Sequence, residues 1–125
     1  MDENIMKHGA FSWNELTTTD PQAALEFYTK LFGWNTEVMH MPGMDYTVIK
    51  VGDRGVGGVM KAPPRAPVAW TGYVTVDNID ETVKLAESLG GKVCLPPTDI
   101  PEVGRFAILS DPQGAIISAI TYLRR

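Results

Sequence analysis

The sequence predicts an α+β fold built from two βαβββ modules. Three observations point to it: a compact strand, cap, helix and stop between Trp13 and Trp34; a second copy of that unit 58 residues later; and runs of alternating, turn-bounded strand after each helix. The pairing predicts a curved mixed sheet, a half-open barrel, with both helices outside. A four-stranded sheet with one helix covers only one of its faces, so the other faces of the two modules are expected to form a concave cup.

In the first copy, Trp13 to Thr18 is β-rich. Asp20 can accept from the free amides at a helix start, and Pro21 sits at the first helical position, where its missing donor costs nothing. Ala23, Ala24, Phe27, Tyr28 and Leu31 recur at helical spacing and predict a wide apolar face. Gly33 suits a left-handed stop. Trp34 to Val38 then returns as a strand, Pro42-Gly43 turns the chain, and Tyr46 to Val51 alternates like a half-buried strand. Gly52 to Gly55 is a hairpin connection into Val56 to Met60. The glycines of that strand weaken it but allow close approach of a backbone or a ligand.

Residues 62–68 form a linker stiffened by Pro63, Pro64 and Pro67, dividing module one (about 10–61) from module two (about 69–122). Module two begins at Ala69-Trp70-Thr71, and Tyr73 to Val76 is a strand. Asn78 with Glu81 makes a capping box, and Ile79, Val83, Leu85, Ala86 and Leu89 supply the apolar helix positions before Gly90-Gly91. Strand Lys92 to Leu95, a loop from Pro96 to Gly104, strand Arg105 to Leu109, the turn Asp111-Pro112-Gln113-Gly114 and strand Ala115 to Tyr122 complete it. Residues 1–9 lack periodicity and read as an arm or an edge extension.

The chain has 125 residues, enough for one domain. Cys94 is the only cysteine, so no disulfide framework exists, and its strand context predicts a buried, inert thiol. A net charge of −4 without a basic run argues against nucleic acid. No apolar stretch approaches the roughly 20 residues of a membrane helix, and Met1-Asp2-Glu3-Asn4 does not begin a signal peptide. These features predict a cytoplasmic protein with no membrane partner.

Phe27-Tyr28, Leu31-Phe32-Gly33-Trp34 and Asp111-Pro112-Gln113-Gly114, carried on paired βαβββ modules, resemble the vicinal oxygen chelate superfamily of glyoxalases, bleomycin-resistance proteins and extradiol dioxygenases. Within it, Trp13 to Trp34 is similar to a subgroup of glyoxalase-like proteins and presumed hydroxylases, where tandem copies of the domain also occur. The resemblance implies a symmetric homodimer. It also implies a metal site in the metal-dependent members, with one ligand on each of the first, fourth, fifth and eighth strands. The matching positions here are Trp13, about Val59, Thr71 and Ser118. These offer no imidazole, carboxylate or thiolate, so no metal and no other cofactor is expected.

His8 and His40, the two histidines, fall away from those positions and read as surface or packing residues. Strand alternation places Glu15 and Thr17 on the face of Trp13. Glu15 is the candidate catalytic residue, a general base or ligand anchor, with its acidity tuned by burial or by Arg105 or Lys50. Trp13, Tyr46, Met60, Tyr73 and Phe106 supply an aromatic, methionine-bearing lining. With Thr17, Val59, Thr71, Arg105 and Ser118 they make up the candidate ligand-binding set. The expected function is metal-independent binding of a small organic molecule in the cup. The alternatives are a lyase, isomerase or oxygenase-type enzyme using Glu15 or an unusual metal site, and a protein interaction module.

Overall fold

The computed structural model describes residues 3–41, 44–62, 64 and 67–123. Among them, after a 3-10 turn at Glu3–Met6, are eight strands and two α-helices: β1 (Phe11–Thr18), α1 (Pro21–Phe32), β2 (Asn35–Met41), β3 (Met44–Val51), β4 (Arg54–Lys61), β5 (Ala69–Thr75), α2 (Ile79–Ser88), β6 (Lys92–Ile100), β7 (Gly104–Ser110) and β8 (Ile116–Tyr122). The architecture is α+β, with βαβββ used twice. The chain divides into two compact units, Trp13–Trp70 and the residues up to Ser12 together with those from Thr71 onward. The expected Pro42-Gly43 turn lies outside the described residues, as do Pro63, Arg65 and Ala66 of the linker. No helix among the described residues is long and apolar enough to cross a membrane.

In the unit Trp13–Trp70 the strand order is β2-β3-β4-β1, with β1 parallel to β4 and the other pairs antiparallel. The Asp20 carboxylate accepts from the Ala23 amide at 3.1 Å, Pro21 opens α1, and Gly33 closes it at φ 73°. The helix lies on Leu16, Ile49 and Val59 through Ala24, Leu25 and Tyr28, with Trp34 and Val56 at the margin. Only part of the predicted apolar face is used inward. Phe27 and Leu31 are 60% and 56% exposed, so they form a second, outward stripe.

In the other unit the order is β5-β8-β7-β6, with β5 parallel to β8. Asn78 accepts from the Glu81 amide at 3.2 Å at the start of α2. At its end the Gly91 and Gly90 amides donate to Ala86 and Glu87 carbonyls, and Gly90 has φ 93°, the left-handed closure that glycine permits. Ile79 and Val83 are buried with Val76, Ala107, Leu109 and Ala119. Leu85 and Leu89, predicted to join them, point to solvent instead. The N-terminal arm is an edge extension: the Gly9 amide donates to Thr75 and the Thr75 amide donates to Ala10, each at 2.8 Å.

Two expectations fail on β6. The predicted Pro96 to Gly104 loop is strand as far as Ile100. Pro96 and Pro97 are tolerated because β6 ends its sheet and pairs only with β7, with register shifts on either side of Leu95. Cys94 is exposed rather than buried. The period-two alternation turns Val93 toward the core under α2 and therefore turns Cys94 outward.

Candidate functional site

The face of each sheet turned away from its helix carries the candidate residues. In the unit Trp13–Trp70, Leu16 on β1 points to α1, so Trp13, Glu15 and Thr17 point to the other side. The β1–β4 register sets Glu15 beside Gly58 and Thr17 beside Met60. The Trp13 indole N–H donates to the Tyr46 hydroxyl at 2.8 Å. These residues stand on β1 and β3, with β4 between them. The bond therefore spans the glycine strand: a Cβ at Gly58 would overlap the Tyr46 hydroxyl, and one at Gly55 would meet the Trp13 ring at 3.4 Å. Those glycines make room for the protein's own rings. A Cβ at Gly57 would instead press on the Asn14 carbonyl.

The same register brings two residues to this face that sequence reasoning missed. Met39 lies across from Tyr46 on β2, and Val48, next on that face of β3, is the neighbour that a Cβ at Gly55 would touch at 3.2 Å. The alternation of β2 held the signal, but only its pairing with β3 shows which side Met39 takes. Thr17 turns its hydroxyl to the carbonyls of Pro67 and Ala69, at 3.0 and 3.4 Å. Val59 stands apart from the group. It is 1% exposed in the core beneath α1, because its neighbours Gly58 and Met60 take the free side.

In the other unit the free face carries Thr71, Tyr73, Ser118 and Phe106. Tyr73 pairs in register with Ser118, and its ring centre lies 6.1 Å from that of Phe106. Tyr73 and Ser118 are buried. Tyr122, farther along β8 on the same side, exchanges a 2.8 Å hydrogen bond with Ser12, and burial raises its phenol pKa against the opposing pull of that bond.

Arg105 does not join Phe106, since adjacent strand residues face opposite ways. It lies on the α2 side, where its guanidinium donates twice to Asp80 and once to Asp99, each at 3.1 Å. The hydrogen bonds that Arg105 donates hold the Asp80 carboxyl below its usual range, and donating to the Asp80 and Asp99 carboxylates raises the Arg105 pKa. Lys50, the other cation expected near Glu15, pairs with Glu37 at 3.4 Å.

The positions at which the resemblance implies metal ligands do not carry residues that fit one. On the free faces the corresponding positions are an indole (Trp13), Gly58 or the thioether of Met60, and the hydroxyls of Thr71 and Ser118. None provides the imidazole, carboxylate or thiolate that zinc, iron or nickel requires. Among the described residues no three His, Cys, Asp or Glu side chains gather where an ion could be held. The His8 Nδ1 accepts from the Asp77 amide at 3.0 Å, and His40 lies 2.8 Å from Asp45.

The family model described as Glyoxalase/Bleomycin resistance protein/Dioxygenase superfamily matches residues 10–118. A Mycobacterium tuberculosis protein named "Putative glyoxylase CFP32" is 47% identical over 118 residues, 93% of this chain and 45% of its own length. The anthracycline biosynthesis protein DnrV of Streptomyces peucetius is 33% identical over 86% of this chain and 45% of its own. The chain thus spans about half the length of the curated relatives it matches. Among solved structures, a hypothetical protein from Bacillus halodurans aligns with TM-score 0.70 at 12% identity, covering 95% of this chain and 98% of that one. Methylmalonyl-CoA epimerase from Mycobacterium tuberculosis aligns with TM-score 0.64 at 15% identity, covering 99% and 94%. These structural likenesses concern the fold alone. With duplicated βαβββ units in place and a family match running through both, the chain belongs to the Glyoxalase/Bleomycin resistance protein/Dioxygenase superfamily.

Proposed function

We propose that this domain binds a small, flat organic molecule against the sheet face that carries Trp13, Tyr46 and Met60, without a metal held by the protein. The observation that carries the reading is the Trp13–Tyr46 bond laid across the glycines of β4. It fixes two aromatic rings at low conformational cost on a face completed by Met39, Val48 and Met60. Aromatic and thioether surface of this kind suits a planar apolar ligand, while the phenol oxygen and Glu15 offer polar points that orient it. A relative named for anthracycline biosynthesis agrees with a planar aromatic ligand class.

Titration with an anthraquinone, followed by calorimetry and tryptophan fluorescence, tests the reading. Saturable binding that survives a chelator and weakens about tenfold in Trp13→Phe or Tyr46→Phe is the expected result. Absence of binding across planar aromatic, quinone and amphiphilic compounds sinks it.

A second reading, an enzyme of lyase, isomerase or oxygenase type, draws on Glu15. This half-buried carboxylate shares the face of Trp13 and stands in register with Gly58, over which the Tyr46 hydroxyl lies. A general base there requires that Glu15→Gln abolish turnover of a bound compound while leaving its Kd nearly unchanged. Equal turnover in the variant removes Glu15 from that role.

A further inference from the structure

The N-terminal arm leaves its sheet through a bulge at Thr75. The Gly9 amide donates to the Thr75 carbonyl and the Thr75 amide to the Ala10 carbonyl, so two arm residues oppose one on β5. Led by a glycine at φ 94°, such a pair bends the chain out of the ladder. The bend carries it onto one face. Thr75 points away from α2, because its neighbour Val74 packs into the core beneath that helix, and its hydroxyl donates to the Ile5 carbonyl at 2.5 Å. The 3-10 turn Glu3–Met6 therefore lies on the free face, at the row where Thr75 pairs with Ile120 and Ile120 with Phe106.

This turn has an apolar side and a polar side. Ile5 and Met6 are half-buried, whereas Asn4, Lys7 and His8 are exposed, and Thr75 and Ile120 are only 4% and 3% exposed. The His8 Nδ1 adds an anchor by accepting from the Asp77 amide. Thr17, 58 residues before Thr75, fastens the linker in a similar way through the Pro67 carbonyl.

We infer that residues 3–9 are a strap, hinged at Gly9, that competes from within the chain with a small apolar molecule for the face carrying Tyr73, Ile120 and Phe106. Two backbone bonds and one hydroxyl hold it at Thr75, so the arm can undock while the pairs β5-β8, β8-β7 and β7-β6 stay intact. A ligand for this face binds only the undocked form, and its apparent affinity falls with the docked fraction. Linkage then requires the reverse effect: an occupied face holds the arm off. The device belongs to this unit and stands without a ligand at Trp13.

Trypsin cleavage after the exposed Lys7, followed by mass spectrometry, reads the arm, and binding of the dye anilinonaphthalene sulfonate reads the face. Gly9→Val forces a β-branched residue to positive φ, and Thr75→Val removes the hydroxyl while nearly keeping its shape. Each should speed that cleavage and tighten dye binding about tenfold, with wild-type far-UV circular dichroism. Saturating dye should also speed cleavage after Lys7 in the wild-type chain. The gain in dye binding should persist in Trp13→Phe, which separates this face from the one proposed above. Cleavage or dye binding indifferent to both variants overturns the inference. So does a dye that leaves the wild-type arm protected, or a gain that Trp13→Phe removes.

Discussion

The Trp13 indole nitrogen and the Tyr46 hydroxyl meet at 2.8 Å across a strand to which neither belongs. The contact exists because β4 presents hydrogen atoms where other residues would present a Cβ. Gly58→Ala should displace the Tyr46 ring and destabilise the domain by about 1–3 kcal/mol. Urea unfolding measures that loss, and a changed tryptophan emission spectrum should accompany it.

Exposure separates residues of α2 that look equivalent in sequence. Ile79→Ala should cost about 2–5 kcal/mol, because Ile79 is 2% exposed against Val76 and Val83. Leu85→Ala, at a position 58% exposed, should stay within about 0.5 kcal/mol of wild type. Thermal unfolding of the two variants side by side tests both.

Arg105 ties the first turn of α2 to β6 through Asp80 and Asp99, so this clamp should weaken in acid. The Asp80 pKa is lower in the folded chain than its ordinary value of 3.8. Its contribution is therefore complete above that value and is lost as pH falls through the depressed folded value. Asp80→Asn should flatten the acid limb of the stability profile below about pH 4, with little change in shape near neutrality. An unchanged acid limb in the variant would place the acid sensitivity elsewhere.

Tyr122 acts at the opposite end of the pH scale. Its phenol pKa is raised by burial, so the stabilisation it gives is whole below about 10 and lost as pH rises through the higher folded value. Spectrophotometric titration should find a late-ionising phenol in the wild-type chain, and Tyr122→Phe should remove it.

Cys94 should react with one equivalent of a water-soluble disulfide reagent in the native protein, without denaturant, because its side of β6 faces solvent. Reaction only after unfolding would contradict that exposure.

Local chemistry was legible in the sequence because its signals are local. Asp20 with Pro21, Asn78, Gly33 and Gly90 mark helix ends by groups that act within one turn, and the 58-residue repeat shows that one unit is used twice. The spacing of Phe27, Leu31, Leu85 and Leu89 is equally clear, yet it fixes only a helical period. Which stripe of the helix turns inward depends on the sheet it meets, and that contact turns Ala24, Leu25 and Tyr28 of α1 onto Leu16, Ile49 and Val59 and leaves Phe27 and Leu31 outside.

The same holds for the candidate site. Alternation along β1 grouped Trp13, Glu15 and Thr17, but the choice of Met60 over Val59, and of Phe106 without Arg105, required knowing which side of each strand α1 and α2 cover. The sequence by itself determined the duplicated modules, their caps and the alternation within each strand, since these follow from residues a few positions apart. Tertiary structure alone decided the phase of each element and the pairing of Trp13 with Tyr46 over Gly58, since burial and register bring together residues distant in the chain.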